Sequence, residues 1–132
     1  MELVKCTLEY WEFVRLLRTD GRVVDGFVEN VQITPPQQQA YMKKYSDSYR
    51  IALFNGEPAG FVGVVYDDIR VCTHPNFQGK GLGKFMIDEC MKIWPKSTAK
   101  VKLGNVVSDK LFLSAGFEEF KRNEIFTYYK RK

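Results

Sequence analysis

Asn55-Gly56 stands between two apolar runs, Arg50–Phe54 and Ala59–Tyr66. Both residues tolerate the positive φ of the tightest hairpin turns, so the pair predicts two antiparallel strands in a fixed register. Asp67-Asp68 reads as a second turn and Ile69–Thr73 as a third strand, completing a meander. The period then changes. A helix that ends before Pro95 carries Leu82, Phe85, Met86, Cys90 and Ile93 on an apolar face and Lys84, Asp88 and Lys92 on a polar stripe. Ala99–Leu103 reads as a strand again. A helix between Thr73 and Ala99 makes a crossover, so the strands on either side of it should run parallel. Val107–Ala115 is a short helix stopped by Gly116, and Glu124–Tyr129 a final strand.

Upstream of the hairpin, Leu3–Leu8 fits a short strand. Tyr10–Arg18 fits a helix with Tyr10, Phe13, Val14 and Leu17 on one face. Arg15, Arg18 and Arg22 fall along one side of it at i, i+3 and i+7. Residues 19–33 carry no clear period. Thr34, Pro35 and Gln37 then form a capping box that opens a helix running to about Ser46, with Tyr41, Met42 and Tyr45 on neighbouring positions. The order predicts a mixed α/β (α+β) fold: a central sheet of six to seven strands with an antiparallel meander, flanked by about four helices, and not doubly wound. The 132 residues suit one domain spanning 1–132.

Composition narrows the class. Apolar residues at 45% and charged residues at 27% suit a soluble globular protein. No run approaches the roughly 20 apolar residues of a membrane span, and the N-terminus lacks the basic-then-apolar pattern of a signal peptide. Cys6, Cys72 and Cys90 are odd in number and far apart, and no histidine cluster joins them. Neither a disulfide framework nor a metal site is expected, and a cytoplasmic location fits. The net charge of +4 suits an anionic partner. No aromatic RNA-binding motif or recognition helix accompanies it, so nucleic acid is not the expected partner.

The segment richest in chemistry runs from Thr73-His74-Pro75 through Gln78-Gly79-Lys80-Gly81-Leu82-Gly83-Lys84. It leaves a strand and enters a helix. Glycine there lets a ligand approach the backbone, the first N–H groups of the helix point outward, and the helix dipole favours an anion. Lys80 and Lys84 add positive charge. The pattern is a pyrophosphate cradle, although a glycine-rich turn without a ligand would look the same. Its spacing is neither GxGxxG nor GxxxxGK[ST].

Gln78-x-x-Gly81-x-Gly83 resembles the coenzyme A loop of the GNAT family of N-acetyltransferases, and Thr73-His74-Pro75 resembles that family's strand end. A second block matches as well: Asn105, Ser108, Leu111-Phe112 and Gly116-Phe117 resemble the family's Asn-x-x-Ala-x-x-Leu-Tyr-x-x-x-Gly-Phe segment. The resemblance covers roughly residues 49–129. It implies a coenzyme A-binding core there, with acceptor-side helices at about 9–48.

The resemblance also implies a mechanism. Two parallel strands, here Ile69–Thr73 and Ala99–Leu103, splay apart and receive the pantetheine arm. Val71 and Thr73 would bond it through the backbone. Gln78, Gly79, Lys80, Gly81, Leu82, Gly83 and Lys84 would hold the pyrophosphate, and Asn105, Ser108 and Phe112 would lie along the cofactor. The acetyl group of acetyl-CoA would pass directly to a primary amine through a tetrahedral intermediate, with no metal. Phe112 replaces the family's usual tyrosine and cannot protonate the leaving thiolate. Asp67, Asp68 and His74 are the candidate bases, and Asp68, Arg70, Cys72 and His74 share one strand face by alternation. Asp67-Asp68 also reads as a plain turn and His74 as a hydrogen-bonded loop residue. Arg15, Arg18, Arg22, Glu29 and Tyr41 are the acceptor candidates, the arginines suiting a carboxylate or phosphate on a small molecule.

Other readings stay open. One is acetylation of a protein lysine or N-terminus. Another is a module that binds acyl-CoA without turnover. Relatives also pair as homodimers, for which Glu124–Tyr129 offers a strand to a neighbour's sheet edge by analogy.

Overall fold

The computed structural model describes residues 1–20 and 33–132. Among the described residues there are seven strands, β1 (Glu2–Lys5), β2 (Tyr49–Phe54), β3 (Glu57–Val65), β4 (Asp68–Thr73), β5 (Ala99–Lys102), β6 (Phe117–Arg122) and β7 (Phe126–Arg131). Four α-helices accompany them: α1 (Trp11–Arg18), α2 (Pro35–Tyr45), α3 (Leu82–Ile93) and α4 (Val106–Ser114). No helix among the described residues is long and apolar enough to cross a membrane. Arg22 and Glu29 lie outside the described residues.

The meander forms as the sequence predicts. Asn55 and Gly56 take φ of 51° and 82°, the double positive φ of a two-residue hairpin loop. β1 to β4 lie in that order in one antiparallel sheet, with a register irregularity in β2 at Ala52/Leu53. The second turn is shifted by one residue from the expectation. Tyr66 and Asp67 carry its positive φ, 54° and 61°, and Asp68 already belongs to β4. A sequence reading favours Asp-Asp because tyrosine seldom adopts that conformation.

The sheet separates two apolar layers. α3 and α4 cover one face, where Leu82, Met86, Ile87 and Cys90 meet Val62, Val64 and Ile69. α1 and α2 cover the other, where Val14, Leu17 and Met42 meet Ile51, Phe61 and Cys72. The contact face of α3 is rotated from the expected one. Ile87 and Met91 are buried, while Ile93 is 42% exposed. The expected capping box opens α2: Gln37 N–H donates to Thr34 Oγ1 (3.3 Å), and Thr34 N–H donates to Gln37 Oε1 (2.9 Å).

Three further boundaries differ. The first strand ends at Lys5, because a 3-10 turn over Leu8–Tyr10 leads into α1. α4 spans Val106–Ser114, one residue earlier than expected at each end. The final strand is β7, and the sequence reading lacks β6 altogether. β7 lies between β5 and β6 in a three-stranded sheet. It is therefore hydrogen-bonded on both sides and offers no edge to a second subunit; the edge strands of this sheet are β5 and β6.

Candidate functional site

β4 and β5 join the two sheets, but only at one end. Asp68 and Thr98 form a single parallel bridge, in which Ile69 N–H donates to Thr98 O (2.9 Å) and Thr98 N–H donates to Asp67 O (2.8 Å). Beyond this bridge no ladder connects the strands, so the two sheets part. His74 N–H donates to Ala59 O of β3 (2.7 Å). By strand alternation Arg70 and Cys72 also turn their backbone groups toward β3, and Val71 and Thr73 turn theirs into the gap. The structure thus leaves the N–H and C=O groups of Val71 and the N–H of Thr73 along an open seam.

The glycine loop lies at the mouth of this seam. Gly79 and Gly81 both adopt φ of 79°, and a Cβ at either would meet nothing within 4 Å. Gly81 caps α3 from the left-handed region, and Phe85 N–H donates to its carbonyl (3.1 Å). The N–H groups of Leu82, Gly83 and Lys84 precede that first bond and have no acceptor within the helix. Gly83 serves packing as well: a Cβ there would lie 3.1 Å from a Leu111 methyl, so α3 and α4 approach closely at this point. The Leu82 side chain is buried in the core, leaving only its backbone on the loop. Gln78 and Lys84 are exposed, and Lys80 Nζ lies 5.7 Å from the Phe54 ring centroid.

The second sequence block is more structural than expected. Asn105 Oδ1 accepts from Ser108 N–H (3.2 Å) and caps α4. Replacing Asn105 by alanine is expected to cost about 1 kcal/mol of stability, read as a lower urea midpoint at unchanged slope. Phe112 is 4% exposed, stacked on Tyr129 (6.1 Å between centroids, 15°) and edge-on to Phe117 (5.2 Å). It is a core side chain. Tyr129 Oη donates to Asp109 Oδ1 (2.7 Å), and burial pushes the Tyr129 hydroxyl up to about 12.

On the α1/α2 face of β4, Asp68, Arg70, Cys72 and His74 alternate as expected. Asp68 is half-buried, and burial raises its carboxyl above the ordinary range, partly offset by Lys100 and Arg70. Its Oδ2 stands 4.0 Å from Arg70 Nε. Asp67 is exposed in the turn. His74 Nδ1 accepts from Asn76 N–H (3.1 Å), capping the 3-10 turn Pro75–Phe77, and its ring packs between Phe13 and Phe77. With Nδ1 held as an acceptor, the neutral ring carries its proton on Nε2, which leaves no lone pair there for a base. Asp67 and Asp68 both lie at the closed end of the seam, and of the two Asp68 is the half-buried one.

Of the expected arginine row, Arg15 and Arg18 are described, and their surroundings differ. Arg15 Nε donates to Glu12 (3.0 Å) and Arg15 Nη1 to Ile33 O (3.1 Å), so its guanidinium is spent within the helical layer. Arg18 lies over the Tyr41 ring, 5.9 Å from its centroid. Tyr41 Oη receives a hydrogen bond from Arg70 Nη1 (3.3 Å) and shares another with Tyr49 Oη (2.8 Å). Arg70 thus joins Arg18, Tyr41 and Tyr49 in one set of contacts, a residue that alternation placed on this face without a role.

The three cysteines are free and buried, with burial pushing Cys6 to about 11 and Cys72 and Cys90 to about 12. Such thiols are poor nucleophiles. A cavity of about 530 Å³ opens on the β1–β2 side, lined by Lys5, Thr7, Trp11, Asp47 and Arg50 among others. None of the glycine-loop residues lines it, and Arg50 is already bonded to the Asp47 and Tyr49 carbonyls.

Comparison with known proteins agrees with this arrangement. No curated protein matches the chain. Among solved structures, the ribosomal-protein-alanine N-acetyltransferase of Brucella melitensis superposes with a TM-score of 0.83 at 14% identity, covering 98% of each chain. The spermidine N-acetyltransferase of Vibrio cholerae, in complex with CoA and spermine, gives 0.79 at 15% identity, over 97% of this chain and 92% of that one. The PaiA N-acetyltransferase of Thermoplasma acidophilum, in complex with coenzyme A, gives 0.68 at 16% identity, over 99% and 98%. At these identities the likeness is one of fold. The family itself is shown by the acetyltransferase (GNAT) domain, which matches residues 46–119. This match covers more than half of the chain, and the protein belongs to the GNAT acetyltransferase family.

Proposed function

We propose that the protein transfers the acetyl group of acetyl-CoA to the primary amine of a small molecule. The observation that carries this reading is the seam. Two strands meet at one bridge and then part, leaving Val71 backbone groups and the Thr73 N–H along an open edge beside a glycine-rich helix start. An amide-bearing arm such as pantetheine can satisfy those groups as a missing strand would. The free N–H groups of Leu82, Gly83 and Lys84 suit the pyrophosphate. Two of the solved neighbours hold coenzyme A, which supports the same occupant here.

In this arrangement residues 49–129 bind the donor and residues 9–48 supply acceptor contacts, within one domain over 1–132. The thioester lies toward the closed end of the seam. There the acceptor nitrogen attacks the carbonyl carbon, a seam N–H stabilises the oxyanion, and the carbon–sulfur bond breaks as the intermediate collapses. Asp68 takes the proton that the ammonium must lose. Phe112, apolar and buried, cannot return one, so the thiolate is protonated by solvent. The buried, inert thiols suit a reducing cytoplasm.

The test is calorimetry with acetyl-CoA followed by thiol release with a panel of small amines, and a peptide with a free N-terminus beside them. Binding at about micromolar to millimolar Kd, with thiol release only when a small amine is present, is the expected result. Release driven by the peptide alone would move the acceptor to proteins. Binding without release from any amine would leave an acyl-CoA-binding module. No binding by folded protein would overturn the reading.

A further inference from the structure

The cavity beside β1 and β2, about 530 Å³, shares no lining residue with the glycine loop or the seam. Its volume falls in the range of small-molecule sites, roughly 300–1,000 Å³. Two cations line it. Lys5 of β1 stands directly opposite Arg50 of β2 in the antiparallel register, an arrangement that like charges disfavour. Among the described residues no carboxylate comes within ion-pair distance of either. Asp47 lines the cavity too, and Glu9, which accepts from Thr7 Oγ1 (3.1 Å), does not. The lining therefore sets two cations against one carboxylate and is positive in balance. Arg50 is held in a fixed pose. Its Nη1 donates to Asp47 O (2.9 Å) and Tyr49 O (2.8 Å), and its guanidinium lies over the Trp94 ring, 5.2 Å from the centroid. These contacts spend both Nη1 hydrogens. Nε and Nη2 have no acceptor among the described residues, and theirs is the edge whose parallel N–H groups match the two oxygens of a carboxylate. The charge also reaches the inner wall, where it opposes the burial that holds the Cys6 thiol up at about 11. Trp11 and Leu8 supply the apolar part of the lining, and Leu8 is 69% exposed.

We propose that this cavity binds a small carboxylic acid, its carboxylate against Arg50 and Lys5 and its apolar body against Trp11 and Leu8. A monoanion offsets the excess positive charge, and an anion shared by the two cations relieves their cross-strand repulsion. This second site is independent of the acetyl-transfer reading. Its walls give the ligand a structural effect as well. The 3-10 turn Leu8–Tyr10 leads into α1 and the 3-10 turn Ser46–Ser48 leads out of α2, and both turns contribute to the lining. An occupant ties together the ends of the two helices that cover this face of the first sheet.

The test is calorimetry on the full chain with four matched probes. Phenylacetate is compared with neutral 2-phenylethanol, with cationic 2-phenylethylamine, and with acetate, which has the carboxylate and no apolar body. Phenylacetate should bind at least about tenfold more tightly than each of the others, roughly the worth of one charge-assisted pair. Arg50→Gln should remove most of that advantage. Lys5→Gln, at an exposed position on the edge strand, should reduce it in the same direction. Thermal melting shows that each variant is folded, and Lys5→Gln decides alone if Arg50→Gln is not. Saturating coenzyme A should leave phenylacetate binding unchanged, because no glycine-loop residue lines the cavity. Displacement by coenzyme A would place the acid on the glycine loop and overturn the inference. So would an advantage that persists in the folded variants, binding of 2-phenylethanol or acetate as tight as that of phenylacetate, or no phenylacetate binding by the folded parent.

Discussion

Gly81→Asp should abolish acetyl-CoA binding, with Kd rising by at least a hundredfold in calorimetry. Two effects add. The position holds φ of 79° at the cap of α3, and a non-glycine residue there costs about 1–2 kcal/mol of backbone strain. The larger effect is electrostatic. Two unit charges of like sign 4 Å apart repel by about 4 kcal/mol at an effective dielectric of 20, and each 1.4 kcal/mol is about tenfold in affinity. Gly81→Ala separates the two. A Cβ at Gly81 meets nothing within 4 Å, so alanine brings the strain without the charge and should lose about tenfold or less. Equal affinity in the parent and the aspartate variant would remove the glycine loop from the binding site.

Asp68→Asn should lower kcat/KM for acetyl transfer by about a hundredfold or more, the usual worth of a positioned base. The pH profile carries the sharper signature. Burial raises the Asp68 carboxyl, so the parent's kcat/KM should climb with pH through a value above the ordinary 3.8 for such a group, and the asparagine variant should lack that limb. Stability should move the other way. A carboxyl whose folded value exceeds its unfolded one binds more protons when folded, so its contribution declines as pH rises through the folded value. Asparagine carries no such penalty. Its Tm should exceed the parent's at neutral pH, and the difference should vanish below 3.8, where both folded and unfolded chains are protonated. Unchanged kcat/KM in this variant would assign the proton to water.

Local chemistry was legible where one residue decides one conformation. Asn55-Gly56 fixed the hairpin and Thr34 to Gln37 fixed the start of α2, because each motif satisfies its own backbone groups without help from the rest of the chain. The glycine loop was legible because Gly79 and Gly81 take a positive φ that glycine adopts freely. β6 was not, since every residue after Phe117 in it is exposed and no apolar alternation marks a strand whose faces both meet water. The turn at Tyr66-Asp67 was misplaced because the tertiary structure imposes positive φ on a tyrosine. Asn105 also caps α4, a role its place just before that helix could have signalled. The surroundings of the arginines were least legible of all. Helical spacing aligned Arg15 with Arg18, but a pairing three residues back took Arg15 away, and the partner that replaced it, Arg70, comes from a strand brought in only by the fold.

The single bridge between Asp68 and Thr98 has a thermodynamic consequence. The protein's two sheets share almost no backbone ladder, so on the proposed reading the donor substrate supplies part of the fold's own hydrogen bonding. A ligand that binds only the folded chain stabilises it by RT ln(1 + [L]/Kd). The stability of such an enzyme is then partly a readout of how much acetyl-CoA surrounds it, and a fall in donor supply loosens the same seam that would have received it.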